Sequence, residues 1–513
     1  MLVFVTRRLV VSFFILLAST ALTYFLVAYS GNPLNDLFEL RGPQRDAKIA
    51  QRTRDLNLDQ PVWIRYLLWL GDVGRCLWPF GAPCTLGNDR NGGAVLPQLQ
   101  TAIGSTLRLV VVATLLAIIV GVVTGIVTAL RQYSVFDYGI TFVAFLCLSL
   151  PVFWISTLLK QYVAIDLNTW LGNPTMTTGG ILILAVVVGG LWALVIGGDR
   201  RRMLTVFVIG IVATASVMYL LLVTNFFSDP YFGIVGILLF GVAAAVGWTS
   251  LFAGLHRRGR PVLISSVVTA VAGAAVAFAL QDVLSDGGWL VVLLTTLALM
   301  AIGAVAGHFL GNPARRLAMR VSALTGFCVG LLIVVDQLLQ AYPTLFQATG
   351  GRPIKTTGSE TPNLNVDFWA TQLDYLMYLI LPTLALMLAS FAVYTRYTRA
   401  SMLDVMGQDY VRTARAKGLN NRTVIVRHAF RNALIPLATL VAFDFAAIFS
   451  GAIITETVFG WSGMGKLFTT SLTNIDPNPV MAFFLVSATA IVLCNMLADI
   501  AYAYLDPRIR LGS

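Results

Sequence analysis

About a dozen separate apolar runs, each long enough to cross a bilayer as a helix, dominate this 513-residue sequence. A hydrocarbon core of ~30 Å is crossed by about 20 helical residues. Strands are excluded as the spanning element, because the runs are continuous rather than alternating. The runs fall near 9–29, 102–130, 138–159, 180–197, 203–224, 231–254, 261–281, 288–310, 318–340, 374–394, 434–455 and 480–503. The expected class is all-α, a polytopic membrane protein of about 12 transmembrane helices. Composition agrees: 57% of residues are apolar and 12% charged, about half the charge of an ordinary soluble domain. That excludes a soluble enzyme, a disordered chain and a nucleic-acid-binding domain, despite a net charge of +11.

The first run follows Arg7 and Arg8 and invites reading as a signal peptide. Its length exceeds a typical h-region and no small-residue cleavage site follows, so a retained helix is expected. With a cytoplasmic N-terminus and alternating spans, inside segments hold 22 of the 35 cations and 5 of the 24 acids. The outer side holds the other 13 cations with 16 acids, and Asp336, Asp444 and Asp499 lie within spans. The asymmetry follows the positive-inside rule, with both termini cytoplasmic.

Two outer segments are large. Residues 31–100, with Trp63, Trp69 and Trp78, read as a small folded cap, and 341–373 reads as irregular loop around Pro343, Gly350, Gly351, Pro353 and Pro362. Cys76 and Cys84 share the cap, separated by a turn-rich stretch containing Pro79, Gly81 and Pro83. Outside the cytosol this spacing favours a disulfide over two unpaired thiols. Cys147, Cys328 and Cys494 fall in apolar spans as packing residues. His256, His308 and His428 are dispersed, so no metal site is expected.

The longest inside loop, 395–433, differs from the other short basic turns. Asp409 suits an N-cap, 410–417 favour helix, and Gly418 suits a left-handed C-terminal cap. Arg415 and Lys417 complement the helix dipole in the last turn. Val424, Ile425, His428 and Ala429 repeat at helical spacing in the segment that follows. Composition leaves two readings: a basic amphipathic loop on anionic lipid, or a docking knob for a soluble partner.

The stretch Asp409-Tyr-Val-Arg-Thr-Ala-Arg-Ala-Lys-Gly-Leu419, followed by Arg427-His-Ala-Phe-Arg-Asn-Ala-Leu-Ile-Pro436, resembles the EAA-type coupling loop of ABC importer permeases. In particular it is similar to the first of the two permeases of the dipeptide/oligopeptide family. The Arg7-Arg8 start, Ser149-Leu-Pro-Val-Phe-Trp154, Ile454-Thr-Glu-Thr-Val-Phe459 and Leu505-Asp-Pro-Arg-Ile-Arg510 match in order and spacing. The likeness covers about 1–172 and 366–513. The literal Glu-Ala-Ala is relaxed here to Arg412-Thr-Ala-Arg-Ala. The resemblance implies a bacterial inner-membrane subunit working with a second homologous permease, two cytoplasmic ATPase subunits and an extracytoplasmic substrate-binding protein. ATP and Mg²⁺ would be bound by the ATPases, with no cofactor in this chain. Coupling would run through Asp409, Tyr410, Arg412, Ala414, Arg415, Lys417 and Gly418.

Relatives of this type have about six spans. The implied organisation is a first helix (1–30), the cap (31–100), core helices (101–172), an insertion of six apolar helices and an outer loop (173–365), and core helices with the coupling loop (366–513). The insertion is rich in Gly, Ala and Val, with Asp336 its main internal charge. A lipid-facing or packing role is expected for it rather than a second pathway.

Charges inside spans are costly and face cavities or partners. Asp444 is read either as a pathway acid near a peptide's amino group or as an interhelix hydrogen-bond acceptor. Glu456 is read as lining the extracellular gate or as solvated, and Asp499 as structural. Gly460-Trp-Ser-Gly-Met-Gly-Lys466 nearly spells a phosphate-binding loop, but Leu467 replaces the Ser or Thr that would hold Mg²⁺. The Gly460-Trp-Ser-Gly463 stretch also resembles an intramembrane protease motif, yet no histidine base follows Ser462. No enzyme function is expected. An ion-coupled secondary transporter is the remaining rival, and it would show paired broken helices in two halves. Peptides are the expected substrate; nickel chelates, glutathione or sugars are alternatives within the same architecture.

Overall fold

The computed structural model describes residues 2–39, 41–77, 84–448 and 452–505. Trp78, Pro79, Gly81, Pro83 and 506–510 of the terminal motif lie outside the described residues, as does the side chain of Asp499. Among the described residues there is no β-strand.

In chain order the principal helices are α1 (Leu2–Tyr29), α2 (Val62–Leu77), α3 (Val95–Leu130), α4 (Val135–Ser149) and α5 (Val152–Leu158, continued by a π turn Leu159–Ile165 and by Asp166–Leu171). Then come α6 (Thr178–Ile196), α7 (Arg200–Val223), α8 (Gly233–Phe252), α9 (Arg260–Ala279), α10 (Trp289–Leu310) and α11 (Arg315–Gln340). The chain closes with α12 (Phe368–Met406), α13 (Asp409–Ala416), α14 (Arg431–Ile448), α15 (Ile453–Phe459), α16 (Met464–Thr473) and α17 (Pro477–Leu505).

Ten described helices are long and apolar enough to cross a bilayer, and the bent pair α4–α5 supplies an eleventh. The twelfth apolar run begins as α14 and continues into 449–451, outside the described residues. The span expected over 138–159 is not a straight rod: the axis turns by 105°. Pro151 cannot donate a helical N–H and holds Leu150 extended, at φ −86° and ψ 124°. The expected loop 341–373 contains a short helix, Tyr342–Ala348, with Pro343 in its first turn, where a missing N–H costs nothing.

The chain separates into two compact units. The first comprises Met1–Val163, Thr356–Ser359 and Leu379–Ser513. Its centre is the crossing of α3, α12 and α14, where Ala117, Tyr394 and Leu437 are buried together. Close approach depends on small residues. A Cβ on Gly121 would lie 2.6 Å from Cβ of Tyr394, and one on Gly125 2.8 Å from the Thr395 carbonyl. The cap packs on α1 and α17 through Tyr24, Tyr66, Trp69 and Met481, and the structure joins Cys76 to Cys84 with Cα atoms 4.6 Å apart.

The second unit comprises Ala164–Lys355 and Glu360–Tyr378, and holds the six helices α6–α11. In it α10 and α11 are nearly fused: a Cβ on Gly303, Gly307 or Gly326 would collide with backbone of the facing helix. Ile237, Ala270, Ala274, Leu299, Val329 and Ile333 fill the centre of α8–α11. None of α7 is buried, and Val208, Ile209 and Leu220 are at least half exposed, as lipid-facing residues of a membrane bundle are.

Candidate functional site

At 1.5 Å per residue, the 39-residue α12 is about 58 Å long, almost twice a bilayer core. It ends at Met406, two residues before α13. The residue at the start of α13 differs from expectation. Gln408, not Asp409, has the extended cap backbone (φ −73°, ψ 150°), and no side chain caps it. Asp409 is instead the first helical residue, with its side chain 99% exposed and 3.9 Å from Arg412. It acts on the helix dipole rather than on an orphan N–H. The other end follows expectation in geometry: Gly418 adopts φ +75° and donates to the Arg415 carbonyl at 2.9 Å.

The faces of α13 also correct one residue. Val411 and Ala414 are buried against Val424, with Val405 and Met406 beside them. Ala414 therefore points into its own chain and offers no surface to a partner. Tyr410, Arg412, Arg415 and Lys417 form the exposed face. Beyond Gly418, Asn420 caps the next turn by accepting from the Thr423 N–H at 2.8 Å. The expected regular helix over 421–432 contains a π turn, Val424–Phe430, which carries Ala429 inward against Met402, Ala129 and Ala433. Ser401 donates to the Ala433 carbonyl at 3.0 Å. Directly and through the π turn, α13 is thus packed against the ends of both α12 and α14.

Sequence reasoning missed a second fastening. Arg399 of α12 donates from Nε to Asp137 Oδ1 at 2.8 Å and from Nη2 to Oδ2 at 2.9 Å. Asp137 is 2% exposed and also accepts from the Tyr133 N–H at 3.0 Å. The only available signal was a lone acid in a basic turn.

Of the two pathway candidates, Asp444 accepts a hydrogen bond from the Tyr394 hydroxyl at 2.5 Å and is half-buried. This bond links α12 and α14, which is the interhelix reading. Glu456 is 0% exposed, which excludes the solvated reading. Its carboxylate accepts from Thr106 Oγ1 at 2.7 Å, from the Gly465 N–H at 2.6 Å and from the Lys466 N–H at 3.2 Å. Those two amides are in the first turn of α16, where orphan N–H groups and the dipole favour an anion. The Met464 N–H donates to Thr106 Oγ1 at 2.8 Å. The Gly460–Lys466 stretch therefore does hold an anion at a helix N-terminus, but the anion is the chain's own glutamate. A Cβ on Gly463 would lie 2.5 Å from Glu456 Cδ, and one on Gly465 2.9 Å from Oε2, which explains both glycines. Lys160 and Lys466 donate to the Val458 and Gly460 carbonyls at the end of α15, where cations complement the dipole.

The cap is tied to the start of α17. Arg52 donates to the Arg90 carbonyl at 2.9 Å and to Asp36 at 2.5 Å, and the Arg90 N–H donates to Asp476 at 2.7 Å. Burial raises the Asp476 carboxyl to about 6, although the Arg90 N–H and the charges of Arg90 and Arg52 pull it down. Asp36 moves the other way. Its burial penalty is outweighed by the Arg52 hydrogen bond and the Arg52 and Arg90 charges, so its carboxyl sits below the ordinary range.

Comparison with known proteins accords with this arrangement of long helices and a capped basic loop. Residues 121–511 match the family described as binding-protein-dependent transport system inner membrane component. The chain is 40% identical over 196 residues to the oligopeptide transport system permease protein OppB of Mycobacterium tuberculosis, covering 38% of this chain and 59% of that protein. It is 43% identical over 154 residues to the oligopeptide permease AppB of Bacillus subtilis, covering 30% and 48%. It is 44% identical over 138 residues to the dipeptide permease DppB of Escherichia coli, covering 27% and 41%. The alignments thus span at most 59% of the length of these relatives. The chain belongs to the family of binding-protein-dependent transport system inner membrane components.

Proposed function

We propose that this chain is one permease subunit of an ABC importer and forms half of the translocation pathway for peptides delivered by an extracytoplasmic binding protein. A second homologous permease completes the pathway, and two cytoplasmic ATPase subunits bind ATP and Mg²⁺. This chain then needs no cofactor and performs no catalysis. Its N- and C-termini and the α13 loop face the cytoplasm of a bacterial inner membrane. The peptide class rests on relatives named for oligopeptide and dipeptide transport; nickel chelates, glutathione and sugars are the alternatives.

The observation that carries this reading is α13: a short helix with an exposed face of Tyr410, Arg412, Arg415 and Lys417, locked on its buried face to two membrane helices. When ATP draws the ATPases together, a knob of this kind turns their motion into tilting of α12 and α14. Breaking of the Tyr394–Asp444 bond during that tilt would free an acid for a peptide's amino group. Purification in mild detergent tests the reading. Two ATPase subunits should elute with the permease pair, and recovery of this chain alone, with uptake driven by an ion gradient, would favour a secondary transporter.

A further inference from the structure

Within the six-helix unit, a cavity of about 460 Å³ lies among the start of α8, the end of α9 and the end of α11. Its walls are apolar at Ile234, Ile237, Leu284 and Ile333, and Asp336, Gln337 and Gln340 line it from α11. We propose that this cavity is a binding site for a primary ammonium group carried on an apolar body, separate from the peptide pathway proposed above.

Three observations carry the proposal. First, the lining is acidic: Asp336 and Asp229 contribute carboxylates and no Lys or Arg lines the cavity. Asp336 is 4% exposed, and its oxygens accept only from neutral donors, the Phe232 and Gly233 N–H groups at 2.7 and 2.9 Å and Gln340 Nε2 at 2.8 Å. Among the described residues no cation pairs with it. The two backbone donors open α8 and offset part of the charge, as at Glu456, but they leave the carboxylate without a cation, which a low-polarity cavity favours.

Second, Gln337 lines the cavity at 6% exposure, and among the described residues its carboxamide has no hydrogen-bond partner. With no partner in the fold its carboxamide opens to the cavity, where a ligand can donate to its oxygen. Third, the volume falls in the range of small-molecule sites, and apolar walls with a few convergent polar groups are their usual construction. An anion is disfavoured by the two carboxylates, and an acyl chain would leave Gln337 dry.

An ammonium of this kind is carried both by free organic amines and by the ethanolamine headgroup of a phospholipid. The test uses the full-length protein in nanodiscs and the fluorescent primary amine dansylcadaverine, with its N-acetylated form as the neutral control. Saturable binding of the amine and at least about tenfold weaker binding of the acetylated form are expected. Gln337→Leu should weaken binding about tenfold and Gln337→Glu should tighten it, because the second adds a charge where the first removes an acceptor. Because the Gln337 carboxamide has no hydrogen-bond partner, neither change removes a hydrogen bond of the fold. Equal affinity in phosphatidylcholine and phosphatidylethanolamine nanodiscs identifies a free-amine site. Weaker dye binding in the ethanolamine lipid identifies the headgroup as occupant, and both results support the shared chemistry. Absence of saturable binding, equal binding of the acetylated dye, or indifference to both Gln337 changes would overturn it.

Discussion

Replacing Glu456 by alanine removes an acceptor that holds the first turn of α16 to α3. Three donors lose their partner: Thr106 Oγ1 at 2.7 Å and the Gly465 and Lys466 amides at 2.6 and 3.2 Å. The site is fully buried, so water does not readily replace the lost bonds. Charge-assisted hydrogen bonds contribute roughly 1.5–3 kcal/mol each, and their losses are not additive, so about 3 kcal/mol is expected for the set. That is roughly a hundredfold change in an opening equilibrium. Glutamine should do much better. Its carbonyl can accept from both amides while its NH₂ donates to Thr106 Oγ1, leaving a deficit of about 1 kcal/mol, the loss of charge assistance. Amide hydrogen exchange on the purified complex reads this directly at Gly465 and Lys466, since protection reports local opening. Alanine should raise their exchange about a hundredfold and glutamine about fivefold. Unchanged exchange in the alanine variant would refute the carboxylate as the cap of α16.

Three further outcomes are expected. Arg399→Ala should leave the buried Asp137 carboxylate without its cation and cost about 3 kcal/mol, seen as a lower melting temperature of the detergent-purified protein, and Asp137→Ala should cost less, because the Arg399 it leaves behind is partly exposed and can reach water. Docking of the cap should depend on pH with opposite signs. The raised Asp476 carboxyl makes docking strengthen as pH falls from about 6 toward 4, and the lowered Asp36 carboxyl makes it weaken below that; exchange at Asn88–Arg90, corrected for intrinsic rate, measures both, and Asp476→Asn should abolish the first. Gly418→Ala should strain the left-handed C-terminus of α13 by roughly 1–2 kcal/mol and lower transport while leaving membrane insertion unchanged, as measured by uptake normalised to inserted protein.

The crossing helices were legible because lipid demands continuous apolar runs, and ten of the twelve expected runs, with the bent pair α4–α5 as an eleventh, are spanning helices among the described residues. Their shape was less so. Ser149-Leu-Pro-Val-Phe-Trp154 stood out as a motif, yet the 105° turn at Pro151 was hidden, because the apolar run continues unbroken across the proline that ends the helix. Glu456 was visible as an acid beside a span, but its partner Thr106 lies 350 residues away, and no local pattern pairs them. Arg399 and Asp137 are 262 residues apart and were hidden among basic turns counted only for their charge. Ala414 was misread for a different reason. Its spacing from Val411 marks one apolar face on a very short helix, and such a face is equally suited to a partner or to the chain's own Val424. The adjacent Val405 and Met406 decide for the chain itself.

The central claim is that α13 receives ATP-driven motion and passes it to the membrane helices. The most direct test reconstitutes the complete complex in proteoliposomes with the binding protein and measures peptide uptake with a cysteine at Arg412→Cys cross-linked, or left free, to the ATPase subunit. Uptake should require ATP, persist without any ion gradient, and be accompanied by an ATP-dependent cross-link from position 412 to the ATPase. Uptake that follows an ion gradient without ATP, or a complex in which position 412 never reaches the ATPase, would contradict the account.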